Sequence, residues 1–427
     1  MALKNVFSFL SKDPEEQRNL LLFGLSSVFM SLALPLFGGS VMTAFNAQYG
    51  ITPALLAKIS LPARILGIVV MLGATGFIDR VRNRVAFNAL VMLGSLITCA
   101  ASLVLCLGPD SFRTVKSICA VFILFGIPAS FIGAFRGGAD AMVQCRVLHN
   151  EIRGRFWGIF GIIGGLGGLL IGLFITWLLS TYSARFSLFV GTLAGMLCLM
   201  LAAFFAWRVR ELPDLQNVVP PKKEPVFQSI KNIVGMKQFR IMMPANFMRC
   251  MGDGCVGYAL LLALQSWDPA LPQRYAGYHQ TLCCFALFLG NVVLALTADR
   301  FGPGIVLPVV DTIMGVSMVC MAAIHNGWSF LAATLVYYTL SNTESSVIPL
   351  AHYEVVPNEV MGAFNNVRLL LLTLSGLISG TAAGIALDYF NPIAVFAVGA
   401  AIKISAGLLY SYGIFTLRKH KEAGSFA

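Results

Sequence analysis

The sequence predicts an all-α membrane protein of twelve transmembrane helices, arranged as two pseudo-symmetric six-helix bundles. Three observations carry that expectation. Of 427 residues, 57% are hydrophobic and only 11% charged, whereas about a quarter of a water-soluble domain is charged. The apolar residues gather in runs of roughly 20 or more, the length that crosses about 30 Å of hydrocarbon as a helix, and not in the alternating ten-residue segments of a barrel. Two short motifs also recur at matching places in the two halves, the pattern left by parallel internal repeats.

The apolar runs occupy 18–46, 52–77, 85–107, 116–143, 155–180, 186–207, 241–265, 276–298, 303–324, 328–352, 361–386 and 392–417. The first follows a charged segment with no small-residue cleavage site, so no signal peptide is expected. The second is followed by Asp79-Arg80-Val81-Arg82, and the eighth by Asp299-Arg300-Phe301-Gly302. The fifth opens with Asn150-Glu151-Ile152-Arg153-Gly154 and is rich in glycine, which clears the way for close helix approach; the eleventh opens with Asn358-Glu359-Val360-Met361-Gly362. Between the sixth and seventh runs lies the one long polar stretch, Arg208 to Pro225, followed by an amphipathic surface segment around 229–236. Residues 1–207 are thus expected to form the first bundle, 208–240 a cytoplasmic linker and 241–427 the second bundle. The eighth run begins Tyr278-His279-Gln280, where His279 reads as a solvated residue near the outer end. The tenth carries Tyr337, Tyr338, Ser341, Asn342, Glu344, Ser345 and Ser346, too polar to face lipid.

The net charge of +11 invites a nucleic-acid partner until the basic residues are placed. Twenty lie on one side of the proposed helices and four (Arg113, Lys116, Arg185, Arg274) on the other. That bias puts both termini in the cytoplasm of a multi-pass protein of the inner (plasma) membrane, and no nucleic acid is expected. The ten cysteines lie in or beside apolar runs without zinc spacing, so no metal or other cofactor is expected. A nucleophile, base and orienting triad on a common face is not visible, which argues against an enzyme.

The repeated loop motif resembles that of the major facilitator superfamily, in which a Gly, three residues, Asp, Arg/Lys, any residue, Gly and basic residues follow the second helix. Asp79, Arg80 and Arg84 fit, while Thr75 and Arg82 replace the two glycines; the Asp299-Arg300-Phe301-Gly302 loop completes the motif better. The resemblance covers the whole chain. It implies secondary transport by alternating access, a central cavity lined by helices 1, 4, 7 and 10, and a gating role for Asp79, Arg80, Arg84, Asp299 and Arg300, which Asp140, near the cytoplasmic end of helix 4, would share by pairing with Arg84. A carboxylate at a helix N-terminus is favourable by about 0.3–1 kcal/mol, so Asp79 at the start of helix 11 and Asp299 at the start of helix 5 would latch the cytoplasmic side.

Ten charged residues fall inside helices, each costing about 2.5–3.5 kcal/mol near the bilayer centre: Lys58, Arg64, Arg136, Asp140, Arg249, Asp253, Asp311, Glu344, Arg368 and Lys403. Lys58 can snorkel. Asp140 can pair with Arg84, Arg249 with Asp253 one turn on, and Arg368 with Glu344 at matched depth; Asp311 and Lys403, on helices outside the cavity, read as a structural pair. Arg136 and Glu344 occupy equivalent repeat positions and could face each other. Gly252 and Gly254 would leave room for a ligand beside Arg249. Six bases against four acids favour an anionic solute, because arginine captures carboxylate or phosphate in bidentate fashion. The expectation is therefore a monomeric, proton-coupled transporter of a small organic anion such as a carboxylate, sugar acid or phosphorylated metabolite. Substrate would meet Arg64, Arg136, Arg249, Tyr338 and Asn342, and the coupling ion, a proton, would use Asp253 and Glu344. The alternatives are an exporter of amphipathic compounds and a non-transporting sensor of the same fold.

Overall fold

The computed structural model describes residues 11, 13–78, 81, 83–109, 114–213, 226–266, 274–323, 326–356 and 361–422, with no strand among them. The chain divides into two compact units. The first comprises Met1–Tyr49 and Pro62–Lys223, the second Gly50–Leu61 and Glu224–Ala427.

In the first unit, α1 (Pro14–Phe37) and α2 (Gly39–Gln48) form the first span. The expected single helix is broken because Gly38 is extended and Gly39 takes a positive φ of 51°, a conformation open to glycine at little steric cost. The second span is α3 (Pro53–Ile78), which belongs to this unit from Pro62 onward, and the third is α4 (Arg84–Gly94) with α5 (Leu96–Leu107), which part at Ser95. Then follow α6 (Val115–Val147), α7 (Asn150–Thr181) and α8 (Ala184–Arg208). Asn83 caps α4 by accepting from the Ala86 amide at 3.0 Å. Buried Glu16 does the equivalent for α7, accepting from the backbone N–H and Nδ1 of His149 at 2.8 Å each. A carboxylate thus answers the positive end of the fifth span from within its own unit.

The second unit opens with the short α9 (Val226–Gly235), which turns Ile233 inward and leaves Lys231 and Asn232 exposed. The seventh span is composite: α10 (Lys237–Gly252), a 3₁₀ stretch (Asp253–Tyr258) and α11 (Ala259–Ser266). Three glycines in six residues, Gly252, Gly254 and Gly257, weaken the α-helix by about 1 kcal/mol each relative to alanine, and a tight 3₁₀ stretch inside a helix often marks a functional hinge. The remaining spans are α12 (Arg274–Phe301), α13 (Pro303–Ala323), α14 (Gly327–Val355), α15 (Met361–Tyr389) and α16 (Pro392–Glu422).

Ten of these twelve spans are long and apolar enough to cross a membrane by length and composition alone. The other two, α12 and α14, have 28 and 29 residues, over 40 Å at 1.5 Å per residue, and carry the polar positions singled out above. Each unit packs by one scheme. In the first, α1 lies along α8 and α7, and α4 and α5 lie on α8 and α6; in the second, α10 lies along α16 and α15, and α13 on α16 and α14. First on sixth and fifth, and third on sixth and fourth, is the packing expected of repeats.

Candidate functional site

Five charged side chains from four spans of the second unit meet in one cluster: Arg249 of α10, Asp253 of the 3₁₀ stretch, Asp311 of α13, Glu344 of α14 and Lys403 of α16. Lys403 is the hub. It is fully buried, and its ammonium lies 2.9 and 2.7 Å from the two carboxylate oxygens of Asp253, 3.0 Å from Glu344 Oε2 and 3.8 Å from Asp311 Oδ1. Arg249 Nη1 pairs with Glu344 Oε1. The Tyr337 hydroxyl donates to Asp253 Oδ1 at 2.6 Å. Asp253 alone among the charged members is substantially open, with a side chain 32% exposed; Arg249, Asp311, Glu344 and Lys403 are buried.

The seventh span brings this about by letting backbones touch. A Cβ on Gly252 would lie 2.8 Å from the Gly399 carbonyl and 3.0 Å from Lys403 Cβ, and one on Gly254 would lie 2.6 Å from Ser379 Cβ. These glycines do not leave room for a ligand, as the sequence suggests; neighbouring helices fill that room. The close approach sets the base of Lys403 against the point where α10 gives way to the 3₁₀ stretch. That placement also explains why Arg249 and Asp253 do not simply satisfy one another. Each has a better-placed partner across a helix interface, Glu344 for the arginine and the Lys403 ammonium, reaching both oxygens, for the aspartate.

Other expectations fare differently. Asp311 and Lys403 do approach one another, but as members of the larger cluster and not as a separate structural pair. Glu344 is engaged by Arg249 and Lys403; the electrostatic neighbours of Arg368 include Tyr410 and His352, themselves hydrogen-bonded at 2.7 Å. His279 is buried, not solvated, stacked on Phe330 with its edge to Tyr338 at 5.8 Å. Tyr338 also meets Tyr337 edge-on at 5.3 Å, and Asn342 donates to the Tyr338 carbonyl at 2.8 Å. In the first unit, Arg64 is exposed on α3, and half-buried Arg136 interacts with Asp140 one turn along α6. Arg84 lines a cavity of about 960 Å³ with Arg146, Arg210, Trp207 and Glu211. Arg300 is exposed, its guanidinium 5.4 Å from the Phe301 ring centre. Asp79, Arg80 and the side chain of Asp299 lie outside the described residues.

Sequence reasoning set Asp311 and Lys403 aside because their helices lie outside the cavity in the family resembled, and it quoted Tyr337 only within a polar run. The available signal was depth: a charge buried far from either surface needs a partner wherever its helix packs.

No protein-family model matches the sequence, and no curated protein matches it. Solved structures do. A mutant of the nucleoside transporter NupG is similar over 93% of this chain and 99% of its own, at 10% identity and a TM-score of 0.67. A D-xylose-proton symporter is similar over 94% and 97%, at 14% identity and 0.67. A bacterial homologue of the iron transporter ferroportin, in an inward-facing state, is similar over 94% and 98%, at 14% identity and 0.59. These likenesses run over nearly the whole of each chain, and the chain has the major facilitator fold.

Proposed function

We propose that the protein is a secondary transporter that couples movement of a small anionic solute to protons by alternating access, with both termini in the cytoplasm. One observation carries the reading: a buried charge cluster of three carboxyls and two cations lies inside membrane-spanning helices of one unit and includes a hinge-like 3₁₀ stretch. Buried ion pairs seldom stabilise a protein relative to apolar replacements, so an arrangement of this size is better explained by work than by stability. The neighbours in fold include a proton symporter of D-xylose and a nucleoside transporter, which favours small-solute transport over catalysis.

The anionic preference rests on the cations outside the cluster. Arg64 is exposed partway along α3, and an arginine there belongs beside water or a solute and not beside lipid. With Arg136 it offers planar donor forks suited to carboxylate or phosphate. In the second unit Arg249 becomes available when Glu344 takes up a proton and loosens its hold; Asp253, the open member, passes protons between cluster and water. Tyr338 and Asn342 line the polar face of α14.

The test uses purified protein in proteoliposomes, screened by counterflow against organic acids, sugar acids, sugar phosphates and hydrophobic cations. An anion should exchange, and an inward proton gradient should drive its accumulation. Asp253→Asn should keep exchange and lose accumulation. Exchange restricted to hydrophobic cations would overturn the anion reading, and undiminished accumulation by Asp253→Asn would remove that residue from coupling.

A further inference from the structure

The cluster has an odd charge count. Three carboxyls face two cations, so full ionisation would leave one negative charge in excess in a cluster of which every charged member but Asp253 is buried. Hydrogen bonding shows where the imbalance falls. An ammonium has three N–H donors, and the Lys403 contacts of hydrogen-bond length go to Asp253, twice, and Glu344. Asp311 is fully buried, and neither of its oxygens receives a hydrogen bond. Lys403, at 3.8 Å, is beyond hydrogen-bond length. The titratable and charged groups acting on Asp311 are Lys403 and Tyr410 from α16, Glu344 from α14 and Arg249 from α10, and its carboxyl lies beside that of Glu344. Two carboxylates in contact cannot both stay ionised, and a buried carboxylate without donors loses its solvation uncompensated. The α16 backbone also closes on it: a Cβ on Gly407 would lie 2.6 Å from Asp311 Oδ2, which leaves little room beside that oxygen.

We propose that Asp311 is the carboxyl that stores the coupled proton: in this arrangement it is neutral and donates its hydrogen to Glu344. This rests on the transport reading above and adds a residue to it. The cluster is then electrically balanced, with Arg249 and Lys403 against Asp253 and Glu344. Transfer of the proton to Glu344 breaks the Asp311 O–H bond and forms a Glu344 O–H bond, with no change in net charge. Neutral Glu344 loosens Arg249, and the new Asp311 carboxylate draws Lys403 toward itself and away from Asp253. The carboxylate released is the one exposed to water, and it sits at the start of the 3₁₀ stretch. A proton deep between α13, α14 and α16 thereby controls a hinge in the seventh span.

The experiment is infrared spectroscopy of the purified full-length protein at neutral pH, which needs neither solute nor gradient. The parent should show a protonated-carboxyl band that shifts in heavy water, and Asp311→Asn should lack it. Because the proposed Asp311 is already uncharged, Asp311→Asn should also keep Tm within about 3 °C of the parent, while Asp253→Asn, which strips Lys403 of a charged partner, lowers it further. A band unchanged in Asp311→Asn, or a loss of Tm as large as that of Asp253→Asn, would overturn the proposal. If Asp311→Asn does not fold, Glu344→Gln serves instead: the band must move because its acceptor has changed, and an unmoved band is contrary. Failure of proton-driven accumulation in the parent would count against the transport reading and not against this assignment.

Discussion

The two units use one packing scheme with opposite contents at its centre. By the 208-residue offset between Asn150 and Asn358, Lys403 corresponds to Gly195; by the 220-residue offset between Asp79 and Asp299, Asp311 corresponds to Val91. Where the second unit places an ammonium, the first has a glycine whose added Cβ would meet the Phe37 ring; where the second has a carboxyl, the first has a buried valine. Around that point the first unit is filled by Met30, Ala33, Phe37, Ala89, Met92 and Leu199, with Ser26 donating to the Ala202 carbonyl at 2.9 Å. Between membrane spans apolar filling gains van der Waals packing with no charge to desolvate, whereas a buried ion cluster at best recovers its desolvation penalty. The fold does not require the charges, since the first unit packs the same way without them. On the proposed reading they make the second unit the half that responds to protons.

The largest effect should follow from deleting the hub. Lys403→Met removes the partner of Asp253, Glu344 and Asp311 at once, and breaking a buried ionic network from one side costs about 3–5 kcal/mol. The expected outcome is a sharp fall in Tm or in the yield of folded protein. Lys403→Met combined with Asp253→Asn should recover part of the loss, because it removes a charge from each side. A single variant as stable as the parent would dissolve the contrast between the units.

Glu344→Gln comes next. It keeps the shape but takes the anion from buried Arg249, and about 3 kcal/mol should be lost, read from the same thermal melts. Gly195→Ala is the matching probe of the first unit, and it should cost less, about 1–3 kcal/mol for overpacking against Phe37. It should leave proton coupling in proteoliposomes intact. If Gly195→Ala altered the proton dependence of transport, the assignment of proton response to the second unit alone would be wrong.

These contrasts show what the chain disclosed before it was folded. Twelve spans were legible because the bilayer imposes a length on apolar runs, and the repeat was legible because two motifs return in register. Breaks at Gly38, Ser95 and Gly252 were hidden, since hydropathy averages over a single residue while backbone conformation does not. Charges in the spans were visible, but their partners were not. Depth along a helix says nothing of the direction in which a side chain leaves it, so Arg249 with Asp253 and Arg368 with Glu344 looked as plausible as the pairs that form. What assembles the cluster is the contact of Gly252 with Gly399, a close approach between spans that no one-dimensional pattern records.

The smallest expected effect separates the open edge of the cluster from its dry centre. Tyr337 is buried, yet its hydroxyl serves Asp253, the member with water access. Tyr337→Phe keeps the ring and its edge-on contact with Tyr338 while removing one hydrogen bond. Asp253 retains both contacts with Lys403, and water can replace the lost donor at an exposed carboxylate, so the stability cost should be about 1 kcal/mol. Transport should change more than stability does. Without the hydroxyl, Lys403 is the one remaining side-chain anchor of Asp253 among the described contacts, and the first turn of the 3₁₀ stretch is held less firmly. Exchange measured by counterflow should therefore quicken or slow by a few fold while Tm barely moves. A loss of 3 kcal/mol or more would place Asp253 in the dry centre with Glu344, and the division of the cluster into an open proton port and a buried proton store would fail.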